Sequence, residues 1–73
     1  MPLIQVSLVE GVFTPKQKHE MIVKLTDAVV SIAGENMRQV IWVVVEEVRS
    51  GEWGLGGEPL TTEAIKAVAS GKG

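Results

Sequence analysis

The chain has no cysteine and a single histidine, His19. The first absence excludes disulfides. Together they argue against a zinc site, because zinc draws its protein ligands mainly from Cys and His. Positive charge is also scarce. Seven Lys and Arg residues are scattered among nine acids, giving a net charge of −2 and a pI near 5.2. Nucleic-acid binding needs a basic patch, and none is written here. Long apolar stretches are missing too. The longest strictly apolar run covers residues 40–45 (VIWVVV), far short of the roughly 20 residues that span a bilayer. No basic segment followed by an apolar one opens the chain, so a secretory leader is not expected and a cytoplasmic protein is.

What is present is apolar: 45% of 73 residues, which is a lot for a chain this short. A single domain of roughly 60 to 80 residues buries only about 60% of its unfolded surface and usually needs a disulfide, a metal or a partner subunit. With the first two disfavoured, self-association is the remaining support.

Residues 3–9 alternate, with Ile4, Val6 and Leu8 on one face and Leu3, Gln5, Ser7 and Val9 on the other, which predicts a strand. Glu10-Gly11-Val12-Phe13 is the turn out of it. Thr14-Pro15-Lys16-Gln17 then reads as a helix start. Thr14 caps free N–H groups, Pro15 occupies the first position where its missing N–H costs nothing, and Gln17 closes a capping box. The helix carries Met21, Ile22, Leu25, Ala28, Val29, Ile32 and Ala33 on one stripe, and Gly34 suits a left-handed residue just past its end. Residues 40–47 (VIWVVVEE) form a β-branched run of the kind found in parallel strands covered on both faces. A helix through residues 40–48 is the weaker alternative.

Strand, long helix, strand is one right-handed β-α-β unit of the α+β class. Residues 49–57 follow as a Gly-rich loop or tight hairpin, residues 63–69 as a short helix and residues 70–73 as a frayed tail. One such unit leaves a sheet face open, so Val43 and Val45, or their neighbours on the opposite face, need cover from another copy.

The segments Met1-Pro2-Leu3-Ile4, Glu10-Gly11, Pro15 to Lys18 and Trp53-Gly54-Leu55-Gly56-Gly57 together resemble 4-oxalocrotonate tautomerase and its short relatives in the tautomerase superfamily. That resemblance implies a β-α-β subunit assembled as dimers and a hexamer, and a small-molecule substrate. It implies no cofactor or metal, and an active site built around Pro2 as an N-terminal residue. Once Met1 is cleaved, Pro2 carries a secondary amine with a lone pair, where an internal proline is an unreactive amide. A free α-amino group titrates at about 7.7–8.0, and a desolvated pocket lowers that value. Such an amine is a neutral base able to move a proton in a keto–enol tautomerisation.

Two positions depart from the family pattern. Members acting on dicarboxylates carry an arginine right after the Glu-Gly turn, where this chain has Val12. They carry another in the second strand, where an ungapped count back from the Trp53 motif reaches Trp42. The resemblance therefore makes Val12, Trp42 and Trp53 candidate walls of an apolar substrate pocket. It leaves three arrangements open: a less charged substrate, a hetero-oligomer in which an arginine-bearing relative completes the site, or a vestigial site. Arg38 and Arg49 are the candidate replacements, with solvated surface roles the simpler reading for both.

Other conspicuous residues weigh less. Trp53 also suits pinning a Gly-rich turn, and Trp42 a core or interface place. Gly54 to Gly57 lack the Lys-Ser pair of a phosphate cradle and read as turn geometry. Glu46 and Glu47 are adjacent on a strand and point to opposite faces, so they cannot converge on one atom. A hydratase or dehalogenase relative would need a carboxylate placed to activate water, and the sequence does not show one. His19 reads as a surface residue.

Overall fold

Threonine 14 opens the longest element by the chemistry its sequence predicts. In the computed structural model, which describes residues 1–71, the Thr14 hydroxyl accepts from the Gln17 N–H at 3.1 Å. The Gln17 side chain accepts in return from the Thr14 N–H at 2.9 Å. Pro15 is the first helical residue. The element order is β1 (Leu3–Val9), α1 (Pro15–Ala33), a 3₁₀ helix (Glu35–Val40), β2 (Trp42–Val48), β3 (Trp53–Leu55), β4 (Glu58–Leu60) and α2 (Thr62–Ala69). The sheets are two-stranded, β1 with β2 and β3 with β4. The chain divides into two compact units: Met1–Val6 with Thr14–Glu46, and Ser7–Phe13 with the described residues from Glu47 onward.

In the first unit the Trp42 N–H donates to the Pro2 carbonyl at 2.9 Å, and Gln5 Nε2 donates to Glu46 Oε1 at 2.7 Å. Both strands therefore advance together, and β1 and β2 are parallel. Exposure alternates along them. Ile4, Val6, Val43 and Val45 are half-buried, while Leu3, Gln5, Trp42, Val44 and Glu46 share the open face.

Along α1 the half-buried line runs through Lys18, Met21, Leu25 and Val29 at helical spacing. This corrects the wider stripe expected from sequence: Ile32 is 89% exposed, and Ile22, Ala28 and Ala33 are also exposed. They flank the covered line instead of lying on it. Gly34 ends α1 with φ at +100°, and its N–H returns to the Val30 carbonyl at 2.8 Å.

The second strand begins later than the β-branched run suggests. Val40 closes the 3₁₀ helix and Ile41 caps it, so β2 starts at Trp42. An ion-pair network holds this turn to α1. Arg38 donates to Asp27 at 2.8 Å and also to Glu35, contacts made within and next to the 3₁₀ turn that Val40 closes.

In the second unit the Glu10 N–H donates to the Val48 carbonyl at 2.8 Å. The Gly-rich segment is a tight antiparallel hairpin, with Trp53 opposite Leu60 and Leu55 opposite Glu58. Gly56 and Gly57 form its two-residue turn with φ of +59° and +87°. Two successive positive φ values match the right-handed twist of a hairpin, and few residues besides Gly adopt them cheaply. The last helix starts one residue earlier than expected, at Thr62, with Thr61 as its cap accepting from the Ala64 N–H at 3.1 Å. Of the tail, Ser70 and Gly71 still bond back to Lys66 and Val68, while Lys72 and Gly73 lie outside the described residues.

Among the described residues, one hydrophobic side chain, Val9 at 6% exposure, is buried. Leu3 (59%), Trp42 (58%) and Val44 (36%) remain open on the sheet. The sequence asks for cover on either Val43 and Val45 or their opposite neighbours, and the neighbours are the ones left bare.

Candidate active site

Pro2 lies immediately before β1, half-buried, with its carbonyl held by the Trp42 N–H at 2.9 Å. Its ring nitrogen faces no such demand, since proline has no N–H to satisfy. Met1, the residue whose removal would free that nitrogen, is 78% exposed. Parallel pairing thus brings Pro2 and Trp42, 40 residues apart in sequence, together through their backbones.

Val12 and Trp53 both belong to the second unit. Val12 is half-buried and follows Gly11, whose φ of +78° turns the chain out of β1. Trp53 is half-buried and opens β3 opposite Leu60. It therefore stands at the open end of the hairpin, away from the Gly56-Gly57 turn.

The two candidate cations differ. Arg38 lies in the 3₁₀ helix, ahead of β2. Its guanidinium is pushed above its already high ordinary value by the hydrogen bonds it donates to Glu35 and, next, to Asp27. That charge is committed to two carboxylates. Arg49 follows β2 and is exposed, with its carbonyl accepting from the Glu52 N–H in the turn toward the hairpin.

Glu46 pairs with Gln5 on the open sheet face, and Glu47 takes the alternate strand position, so the two acids do not converge. His19 is exposed. Among the described residues no three His, Cys, Asp or Glu side chains gather as metal ligands, and no helix is long and apolar enough to cross a membrane.

One cluster escapes the sequence reading. The Thr62 hydroxyl donates to the Glu10 carbonyl at 2.6 Å, and the Thr62 N–H donates to Ser50 Oγ at 2.9 Å. The Ser50 N–H in turn donates to Glu10 Oε1 at 3.2 Å. Thr61-Thr62 ahead of an apolar helix signals a cap, but nothing local in the sequence shows that the second threonine reaches back 52 residues.

Comparison with known proteins is consistent across sequence and structure. A family model described as tautomerase enzyme matches residues 2–63. A probable tautomerase of Ralstonia nicotianae is 42% identical over 59 residues, covering 81% of this chain and 81% of its own length. The crystal structure of DmpI from Helicobacter pylori superposes with a TM-score of 0.71 at 36% identity, covering 81% of this chain and 95% of its own. TomN, described as a 4-oxalocrotonate tautomerase homologue in the tomaymycin biosynthetic pathway, superposes with a TM-score of 0.73 at 30% identity. It covers 96% of this chain and 98% of its own.

Proposed function

The chain belongs to the tautomerase family, and on that footing we propose that it catalyses keto–enol proton transfer on the enol or dienol of a 2-keto acid. Pro2, freed by removal of Met1, is the general base. Its neutral amine takes the enol O–H proton while the electron pair re-forms the carbonyl. The prolinium so formed returns the proton to the substrate carbon, which leaves atoms and charge balanced. No redox partner is called for.

What supports this reading is that the family match opens at Pro2 and that the tie of this residue to β2 runs through its carbonyl, so removal of Met1 would not cost that bond. The family resemblance assigns Val12, Trp42 and Trp53 to the surroundings of the substrate, and all three are apolar. With Arg38 engaged by Glu35 and Asp27, an aryl enol is the better-matched substrate class, and a dicarboxylate dienol the poorer one. The active form is a homo-oligomer, a hexamer by family resemblance, acting in the cytoplasm. Support for association comes from Leu3, Trp42 and Val44, exposed together on one face of a chain too small to bury them alone.

Trp42 and Val12 also favour a second reading, in which this subunit lends walls to a hetero-oligomer whose arginines come from a relative. The test is ketonisation of phenylenolpyruvate and 2-hydroxymuconate by protein whose intact mass shows Met1 gone, beside Pro2→Ala. Acceleration by the wild type and its loss in the variant, with the aryl enol preferred, are expected. Equal slowness of the two proteins on both substrates would remove the proline-base reading for this chain alone and direct attention to a missing partner.

A further inference from the structure

The Glu10–Ser50–Thr62 cluster closes a ring of hydrogen bonds around the turn that leaves β1. Thr62 contributes three contacts to it. Its hydroxyl holds the Glu10 carbonyl, and its N–H holds the Ser50 hydroxyl. Its methyl group packs so closely on Gly11 that a Cβ there would lie 3.2 Å from Thr62 Cγ2. The next residue in the chain is Val12. Thr62 is the first residue of α2, and the family match ends at residue 63, so nearly all of the helix that this contact anchors lies outside the matched segment.

We propose that Thr62 is a positioning residue for substrate recognition, fixing the Glu10-Gly11-Val12 turn so that Val12 presents a rigid apolar wall. This rests on the proposed tautomerase reading. Glu10 and Gly11 are held from the far end of the chain by a side chain that touches no reacting atom in that mechanism. The turn has a left-handed glycine at its centre and would otherwise sample several conformations. Small displacements of a substrate wall weaken binding without altering the base, so the effect belongs in KM.

Thr62→Val tests this, because it keeps the methyl contact and the N–H and deletes the hydroxyl donor. With phenylenolpyruvate as probe, KM should rise about fivefold, in line with one lost hydrogen bond, while kcat stays within about twofold. Thr62→Ser should restore KM. In a Val12→Ala background the Thr62→Val effect should shrink toward nothing, since the wall it steadies has been cut away. Ser50→Ala, which deletes only the acceptor of the Thr62 N–H, gives a second, milder route to the same KM change if Thr62→Val folds poorly. An unchanged KM in both variants, or equal losses that persist in the Val12→Ala background, overturns the positioning role while Pro2-dependent turnover stands. Absence of Pro2-dependent turnover in the wild type overturns the tautomerase reading itself, and this role with it.

Discussion

The N–H of Trp42 and the carbonyl of Pro2 meet at 2.9 Å, so the first residue of β2 fastens the residue just ahead of β1. The bond uses the half of Pro2 that any amino acid possesses and leaves the half that only proline offers.

Substitution at this position therefore separates chemistry from folding. Pro2→Ala keeps the carbonyl and its bond to Trp42 but replaces the secondary amine with a primary one. Thermal unfolding should be close to wild type, while ketonisation falls by about 10²-fold or more, the range ascribed to a positioned general base. Steady-state kinetics beside a melting curve read both quantities. A variant that melts like wild type and turns over at the same rate excludes Pro2 as the base.

Val12 and Trp42 stand where dicarboxylate-handling relatives are expected to carry arginine. Val12→Arg combined with Trp42→Arg should shift preference from phenylenolpyruvate toward 2-hydroxymuconate. A preorganised charge is worth about 10²–10³ in such sites, and an unsupported one should recover less, on the order of tenfold in the ratio of kcat/KM values. An unmoved ratio would mean that neither position faces the substrate.

Arg38 provides the complementary control. Its guanidinium is already occupied by Glu35 and Asp27, so Arg38→Gln should leave kcat/KM on both substrates within about twofold. Its effect should fall instead on the 3₁₀ turn, as faster amide exchange over residues 35–40. A large loss confined to the dicarboxylate substrate would reassign Arg38 to substrate binding.

Val44 shares the open sheet face with Leu3 and Trp42. On a free surface, Val44→Asp would change stability by no more than about 0.5 kcal/mol. Buried against a second copy, the same carboxylate costs several kcal/mol. Sedimentation should therefore show the variant shifted to smaller species, with a melting temperature that depends more steeply on concentration. Unchanged mass and melting would place the contact between copies elsewhere.

Where the controlling interactions are local, the sequence is easy to read. Thr14, Pro15 and Gln17 lie within four residues and declare the start of α1, and the alternation from Leu3 to Val9 declares β1. Gly56-Gly57 likewise suits the turn it makes. Reading falters where distant partners decide. Val40 and Ile41 have strand-like side chains, yet Arg38 reaches 11 residues back to Asp27 and the chain coils there. Ile32 has the spacing of a covered residue and is exposed because this chain alone supplies nothing to cover it. For the candidate site, Pro2 is proposed through family resemblance alone, since an internal-looking proline carries no chemical signal of its own. The contact of Thr62 with Glu10 spans 52 residues and left no trace in either local sequence.

Parallel pairing of β1 with β2 also orders events during synthesis. Leu3 to Val9 leaves the ribosome first, yet its partner is not made until residues 42–48 have been added. At about 5–20 residues per second that is a delay of roughly 2–8 s, in which the strand has no hydrogen-bonding neighbour. In that interval the Pro2 carbonyl is not yet tied to Trp42, and the start of β1 is held by nothing. Until residues 42–48 arrive, the open edge of β1 is the segment most exposed to pairing with the wrong strand.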